Sequence, residues 1–500
     1  MVKFLGHASI YLNTGNTSLV VDPWFTKKGA FLNTWFQFPD NTDIDFSWKD
    51  DLDYVCISHE HEDHFDLEFL KTLNDETQIV IPNYKNKRFF NLIKDNLPNH
   101  IIEVEHQQKC VLGDIEFYPI IQMPGWDDCG LLFKTKDEVI LDLNDMKISN
   151  KKDIKWIKDN FDIDYLFVQF SGANWFPHIY PQYTDEQVTE ICRDSRRNKF
   201  KNVVNLFKTL EAKLLLPCAG PPCFLDDEQF NLNFLKENGF PNQKIFYEYF
   251  NEDVCILLPD DEIKIGMDIE SINKRNLNHK CFSDKIEYLT DYKNRRTEII
   301  KDEIEKIETP NESLFNKMKE QFAPVMKSNR YFRDKISGKI LFKTEYENIV
   351  IDFTNRREPV RCGYESDCMY EYNIESKFLK LVLDGDLDWE TFFLSMRFKA
   401  ERNPDKYNEF LMIFLKYPYE NSLKTYELYD KNKKLNERFI LKHKNKSYKC
   451  QKYCPHLFGD LSKGEVVDGS IVCPLHGWKF SLDNGKCLTN NSNINLEEIT

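Results

Sequence analysis

Near its C-terminal end the chain reads Cys454-Pro455-His456, then sixteen residues, then Cys473-Pro474-Leu475-His476. Each Cys–His pair sits in a turn rich in Pro and Gly. Gly459 and Gly477 follow the histidines, and Trp478 lies just behind the second turn. Two thiolates and two imidazoles at this spacing can hold a [2Fe–2S] cluster, with the thiolates on one iron and the imidazoles on the other. Neutral imidazoles reduce the negative charge around the irons, so such a cluster accepts an electron more readily than an all-thiolate one. A structural zinc site also uses Cys and His. The C-x-H…C-x-x-H order and the glycine turns favour the cluster. It would pass single electrons, so another part of the chain is expected to consume them.

A second stretch offers that chemistry. Asp53-Tyr54-Val55-Cys56-Ile57-Ser58 has the pattern of a buried strand. It runs directly into His59-Glu60-His61-Glu62-Asp63-His64. A tight loop at a strand end leaves three imidazoles and a carboxylate free to point into one space. Together they suit zinc, iron or manganese. The plain alternative is a solvated polar loop. Upstream, Phe4 to Leu12, a turn at Asn13 to Asn16, and Thr17 to Pro23 read as a hairpin.

The H-x-H-x-D-H pattern, with the opening GHASI…VVDPWF, resembles the metallo-β-lactamase fold, an α/β sandwich of αββα type. The opening resembles the branch whose members act on phosphorylated or sugar-like substrates. The resemblance implies that His59 and His61 ligate one metal and that Asp63 and His64 serve a second. A bridging carboxylate would come from the end of Val139 to Asp145, as Asp142 or Asp145. After the strand Ile115 to Ile121 the family reads P-G-H, whereas this chain reads Met123-Pro124-Gly125-Trp126-Asp127-Asp128. Trp126 cannot ligate; Asp127 or Asp128 could, and His106 reads as a surface residue. His178, in SGANWFPHIYP, is the candidate for the family's last histidine, and reads equally as packing among aromatics. More carboxylate in the site suits iron, in one or two non-haem ions, and iron is what the cluster would feed.

The 500 residues suffice for two or three domains and a large core. Aromatic residues make up 14% and hydrophobic residues 41%, which places the chain among globular proteins. A net charge of −15 argues against a nucleic-acid partner. No signal peptide or membrane-spanning run is evident. The fourteen cysteines lack a disulfide framework and fit a reducing cytoplasm. Most of them, Cys56, Cys218 and Cys223 included, read as buried small hydrophobes. Arg193, Arg196, Arg197, Lys199 and Lys201 form a basic run, read as a solvated helix face or an anion grip.

The composition divides the chain at about 265 and 435. Residues 1–265 carry the histidine loop. Residues 266–435 form a helical or mixed middle, with helices over Ile286 to Lys327 and from Phe378 to Tyr417, interrupted at Pro310, Pro324 and Pro404. Residues 436–500 read as a small all-β domain around the cluster and resemble the Rieske [2Fe–2S] domains. Lys431 to Lys434 and Lys442 to Lys446 read as exposed turns at its entry, or as docking charges for a reductase. Rieske proteins of respiratory chains add a cysteine pair that ties the two ligand loops together; here Gly459 and Leu475 stand in those places. That resembles the oxygenase-associated type.

The pairing of these two domains resembles the cytidine monophosphate-N-acetylneuraminate hydroxylases. So do FVQFSGANWFP, KLLLPCAGPP and DWETFFLSMRFKAERNPDKYNEF. In that family's animal members the Rieske domain comes first; here it is last. The resemblance implies an oxygenase that uses O2 to hydroxylate a nucleotide-sugar N-acyl group. A reductase, ferredoxin or cytochrome b5-like protein would donate the electrons. His456 or His476 would be the electron exit. Electrons would cross within one chain or between the subunits of a homo-oligomer. The rivals are a metal-dependent hydrolase with a regulatory Rieske domain and an N-oxygenase acting on an amine.

Overall fold

The computed structural model describes every residue except 123–126, 149, 173, 236, 238, 417, 434 and 500. The turn from Met123 to Trp126 therefore lies outside the described residues, as do Tyr417 and Lys434. The chain forms two compact units, residues 1–173 with 199–305, and 174–198 with 306–500.

The first unit is built on two sheets. The seven-stranded sheet has the order Glu262–Ile263, Val2–Gly6, Ser9–Asn13, Ser18–Val21, Tyr54–Cys56, Gln78–Pro82, Ile101–Val104. It is antiparallel up to Ser18–Val21 and parallel from there on. The six-stranded sheet has the order Leu214–Cys218, Tyr165–Gln169, Val139–Asp142, Cys129–Lys134, Ile115–Ile121, Cys110–Leu112. Its first three strands are parallel.

Side chains alternate across a strand, and the second sheet uses both of its faces. Phe117, Leu131, Phe133 and Ile140 join Val20, Val55 and Ile79 of the first sheet in one core. Ile120, Leu132, Leu141 and Leu166 point the other way, into a second core with Phe200, Val203, Phe246 and Leu289. The latter four come from helices Asp185–Leu210, Gln243–Tyr249 and Lys285–Glu305. On the first sheet's side, Phe89 and Ile93 of helix Arg88–Asn96 enter the first core. This is the αββα sandwich. It places the ends of the parallel strands Ser18–Val21, Tyr54–Cys56 and Val139–Asp142 where loops can carry ligands.

The second unit contains helices and a five-stranded sheet ordered Val360–Cys362, Asn348–Asp352, Lys339–Lys343, Tyr370–Ile374, Phe398–Arg402. The sheet is an addition to the helices read from periodicity. Pro324 lies inside helix Phe315–Ser328 and does not end it, unlike the break expected there. The ring removes one backbone donor, and the burial of Met318, Phe322, Ala323 and Met326 around it holds the helix on its core.

Residues from Arg438 onward form two three-stranded sheets: Arg438–His443, Lys446–Gln451 and Leu496–Ile499, and Val466–Val467, Ser470–Val472 and Lys479–Ser481. The second sheet turns at Asp468-Gly469, both at positive φ, 48° and 72°. That is the two-residue turn whose twist matches a hairpin. Among the described residues no helix is long and apolar enough to cross a membrane.

Phe133 is fully buried, with its ring 5.2 Å from that of Phe117 between the two sheets. Phe133→Ala is expected to cost about 3–5 kcal/mol in urea-induced unfolding of the first unit, with the midpoint falling accordingly.

Candidate metal centres

In the first unit the hexapeptide follows strand Tyr54–Cys56, whose parallel neighbour is Ser18–Val21. At the end of that neighbour sits Asp22, fully buried and at φ 41°. Its carboxylate accepts the Ser58 N–H at 2.7 Å and the Ser58 hydroxyl at 2.6 Å. It also accepts from His64 Nδ1 at 2.8 Å. With its proton committed to Asp22, the Ser58 hydroxyl is left to accept from His59 Nδ1, 2.8 Å away. Both rings therefore hold a proton on Nδ1, so Nε2 is the atom each would turn to an ion, His64 giving up its Nε2 proton as the ion binds.

The lone pairs converge. His59 Nε2 lies 3.0 Å from His61 Nδ1. His64 Nε2 lies 3.6 Å from Asp145 Oδ1 and 3.9 Å from Asp63 Oδ2. His7, from the GHASI turn, places Nε2 3.1 Å from Asp63 Oδ2. Two sets of potential donors result: His59, His61 and Asp145, and His7, Asp63 and His64. Asp142 is fully buried at the end of its strand, where one oxygen accepts the Asn144 N–H at 2.8 Å. Gln169 donates to Asp145.

The charge balance fits a metal ion. Burial, then the Asp22 charge, pushes the Asp142 carboxyl far up from its ordinary range. Burial also works against the Asp63 carboxylate, but His64 and His7 hold it at about 2. Burial likewise works against a charged His64, yet Asp63, Asp145 and Asp22 push its pKa well up. Asp63 Oδ1, Asp142 Oδ2 and His7 Nδ1 are buried with no hydrogen-bond partner. Buried anions and orphaned acceptors are costly alone, and a cation among them would satisfy both.

The structure thus brings together His59, His61, Asp63, His64 and Asp145, with Asp142 beside them. It adds His7 and Asp22, which sequence spacing missed. Each stands alone in its segment, and the only signal was the GHASI…VVDPWF likeness itself. Asp128 is half-buried, its carbonyl accepting the Gln122 N–H at 2.9 Å, and it belongs to neither set. His178 is also in neither. It falls in the second unit, its Nε2 3.8 Å from Cys192 Sγ.

The second centre is built from two matching turns. The Cys454 N–H closes on the Gly459 carbonyl at 2.9 Å, and the Cys473 N–H closes on that of Trp478 at 2.7 Å. Cys454 Sγ and Cys473 Sγ lie 3.3 and 3.4 Å from His476 Nε2. The His456 ring stacks on Trp478 at 4.3 Å and 11°, with the His476 ring 4.6 Å away. Both thiols are fully buried. Burial and the adjacent Cys473 push the Cys454 thiol up. Burial opposes a Cys473 thiolate, but Cys454 and His476 hold its pKa down. A Cβ on Gly459 would lie 2.6 Å from Cys473 Sγ and 2.9 Å from Leu475 Cβ. The two loops therefore meet where only glycine fits, and among the described residues no disulfide is formed. Two buried thiols beside His476, with the His456 ring next to that of His476, fit a [2Fe–2S] cluster.

Residues 417–499 match the Rieske [2Fe-2S] domain model, and residues 1–125 match the Beta-lactamase superfamily domain. The chain carries a metallo-β-lactamase-like domain and a Rieske domain. Residues 314–432 match the Rv3818-like, SCP2-like domain, overlapping the start of the Rieske match. The Rieske domain is the binding site of a [2Fe–2S] cluster, and the cysteine and histidine pairs above lie within it.

Relatives share this whole length. A putative Rieske 2Fe-2S iron-sulfur protein of Mycolicibacterium smegmatis is 28% identical over 532 residues, covering 98% of each chain. One from Mycobacterium tuberculosis is 27% identical over 526 residues, again 98% of each. The cytidine monophosphate-N-acetylneuraminic acid hydroxylase of Danio rerio is 26% identical over 251 residues, 48% of this chain and 41% of that protein. Among solved structures, CmlA, a diiron beta-hydroxylase from Streptomyces venezuelae, covers 53% of this chain and 54% of its own, at 13% identity and TM-score 0.36.

Two outcomes are expected. Asp22→Asn, which weakens the grip on Ser58 and His64, should lower metal affinity of the first centre about 10–100-fold, read by competition with a chromophoric chelator. His178 concerns pH. Burial lowers its pKa from 6.5 to about 4. Between those values the unfolded chain binds the proton and the folded one does not, so stability is complete above pH 6.5 and falls as pH drops towards 4. The loss should reach about 3 kcal/mol, and His178→Phe should flatten that part of the profile in thermal unfolding.

Proposed function

We propose that this protein is a Rieske-dependent iron oxygenase that takes electrons from a donor protein and uses O2 to oxygenate a small molecule. The observation that carries this reading is the union, in one chain, of a one-electron centre with a buried histidine–carboxylate site. A hydrolase has no use for single electrons. Iron in the first site would supply O2 activation, and the cluster would supply electrons one at a time.

The chain's own residues do the rest. Asp22 and Ser58 fix the tautomers of His64 and His59, so that Nε2 of each faces inward. His61 would bind through Nδ1, the nitrogen that faces His59. Asp63 would bind through Oδ1, because His7 occupies Oδ2. Asp142 and Asp145 are the acidic partners from the facing strand end. The burial of His59, Asp63, His64 and Asp142 keeps water from the ion's inner side. Carboxylate-rich donors favour iron over a histidine-only zinc set. The substrate class this reading favours is a nucleotide sugar, hydroxylated on its N-acyl group; the Danio rerio relative is named a cytidine monophosphate-N-acetylneuraminic acid hydroxylase. An amine is the alternative.

Metal analysis and an oxygen pulse test the proposal together. Protein purified without chelators is expected to hold iron beyond the two ions of the cluster. After anaerobic reduction, O2 should reoxidise the cluster faster with a nucleotide sugar present, and His59→Ala should abolish that acceleration while leaving the cluster spectrum intact. Zinc in the first site, with ester or amide cleavage under nitrogen, would establish the hydrolase instead.

A further inference from the structure

Lys433 ends helix Glu420–Asn432, in the lysine-rich run that reads as an exposed turn. Its side chain is only 4% exposed. The ammonium donates to the carbonyl oxygen of Pro455 at 3.0 Å, and Pro455 stands between the cluster ligands Cys454 and His456. The same ammonium lies 3.0 Å from Asp430 Oδ1 and 3.9 Å from Glu409 Oε1. The rings of Tyr429 and Tyr426 flank it at 5.1 and 5.8 Å. Tyr331 donates to Asp430, and Tyr426 to Glu409. Burying an ammonium is costly unless it is paired and hydrogen-bonded. Here an entire network of Tyr, Asp and Glu is arranged to hold one, and its remaining donor is aimed at the first ligand loop.

Adding an electron makes the cluster more negative. A positive charge fixed nearby in a medium of low dielectric favours that reduced state far more than one in water would. Asp430 is the counterweight. Burial opposes its charge, but Lys433 and the Tyr331 hydroxyl hold its carboxyl below the usual range. The pair therefore presents its positive end to the cluster loop and its negative end to the helix.

We propose that Lys433 is a positioning and charge-setting residue of the Rieske cluster: it pins the first ligand loop through the Pro455 carbonyl, and its buried charge makes the cluster easier to reduce. The proposal rests on the Rieske domain and is independent of the oxygenase reading.

The test is a spectroelectrochemical titration of the full-length, cluster-loaded protein at fixed pH, with the reduced-state EPR spectrum as a check on loop geometry. Lys433→Met is expected to make reduction about tenfold less favourable, a shift of about 59 mV to more negative potential for one electron. Asp430→Asn, which removes the counterweight, is expected to shift the potential the other way. A Lys433→Met potential that is unchanged or higher overturns the proposal, as do two variants that move in the same direction. If Lys433→Met fails to retain two irons, Asp430→Asn decides: a rise supports the role, and no change or a fall overturns it.

Discussion

Asp22 is a fully buried carboxylate whose cost is met by donors from one neighbouring loop. Its two oxygens accept from the Ser58 backbone, the Ser58 hydroxyl and the His64 ring, and its own carbonyl accepts from Ser9 Oγ at 2.6 Å. An uncompensated carboxylate here would destabilise the fold by several kcal/mol, so the ends of Ser18–Val21 and Tyr54–Cys56 are bound to keep their register. That register in turn sets the tautomers of His59 and His64, and the tautomers set where lone pairs point. The geometry of the metal site is thus held by the parallel strand pairing of the sheet and not by the loop alone.

The two centres solve the ligand problem in different ways. In the first, residues from distant segments meet because parallel strands end together. In the second, two short turns repeat one hydrogen-bond plan, with each cysteine N–H closed on a carbonyl five residues later. Positive-φ and side-chain-free positions are built into the second plan: Phe458 and Gly477 sit at φ 56° and 77°, and the contact at Gly459 admits no side chain. The first plan uses glycine once, at Gly6 beside His7, where φ is 108° and a Cβ would lie 2.7 Å from Asn41 Nδ2.

This difference explains what could be read from the sequence. The Rieske ligands and the His59–His64 loop are contiguous motifs with strict spacing, so both could be picked out, and the αββα sandwich followed from the family resemblance that the H-x-H-x-D-H and GHASI…VVDPWF stretches carry. His7 and Asp22 were not legible as site residues, because a single His or Asp has no spacing to give it away. The choice between Asp142 and Asp145 was open in the sequence; in the folded chain Asp145 joins His59 and His61 while Asp142 is the more buried. Lys433 was misjudged for a general reason. A lysine-rich run at a helix end reads as solvated, and only the neighbouring Asp430, Glu409 and Pro455 reveal that one member turns inward. The five-stranded sheet was hidden by the stronger periodicity of the helices around it.

Cys454 and Cys473 are more than ligands. They belong to the small hydrophobic core of their domain, beside Leu461, Ile471 and Phe480. Their thiols therefore occupy the place that larger apolar side chains would fill in a domain of this size, and the cluster completes that centre. A chain made during iron scarcity would lack the middle of a core as well as a redox group, because binding energy at such a site is also folding energy. No disulfide is present to hold the loops in its stead. Loss of iron would then loosen the domain's packing as well as remove its redox group.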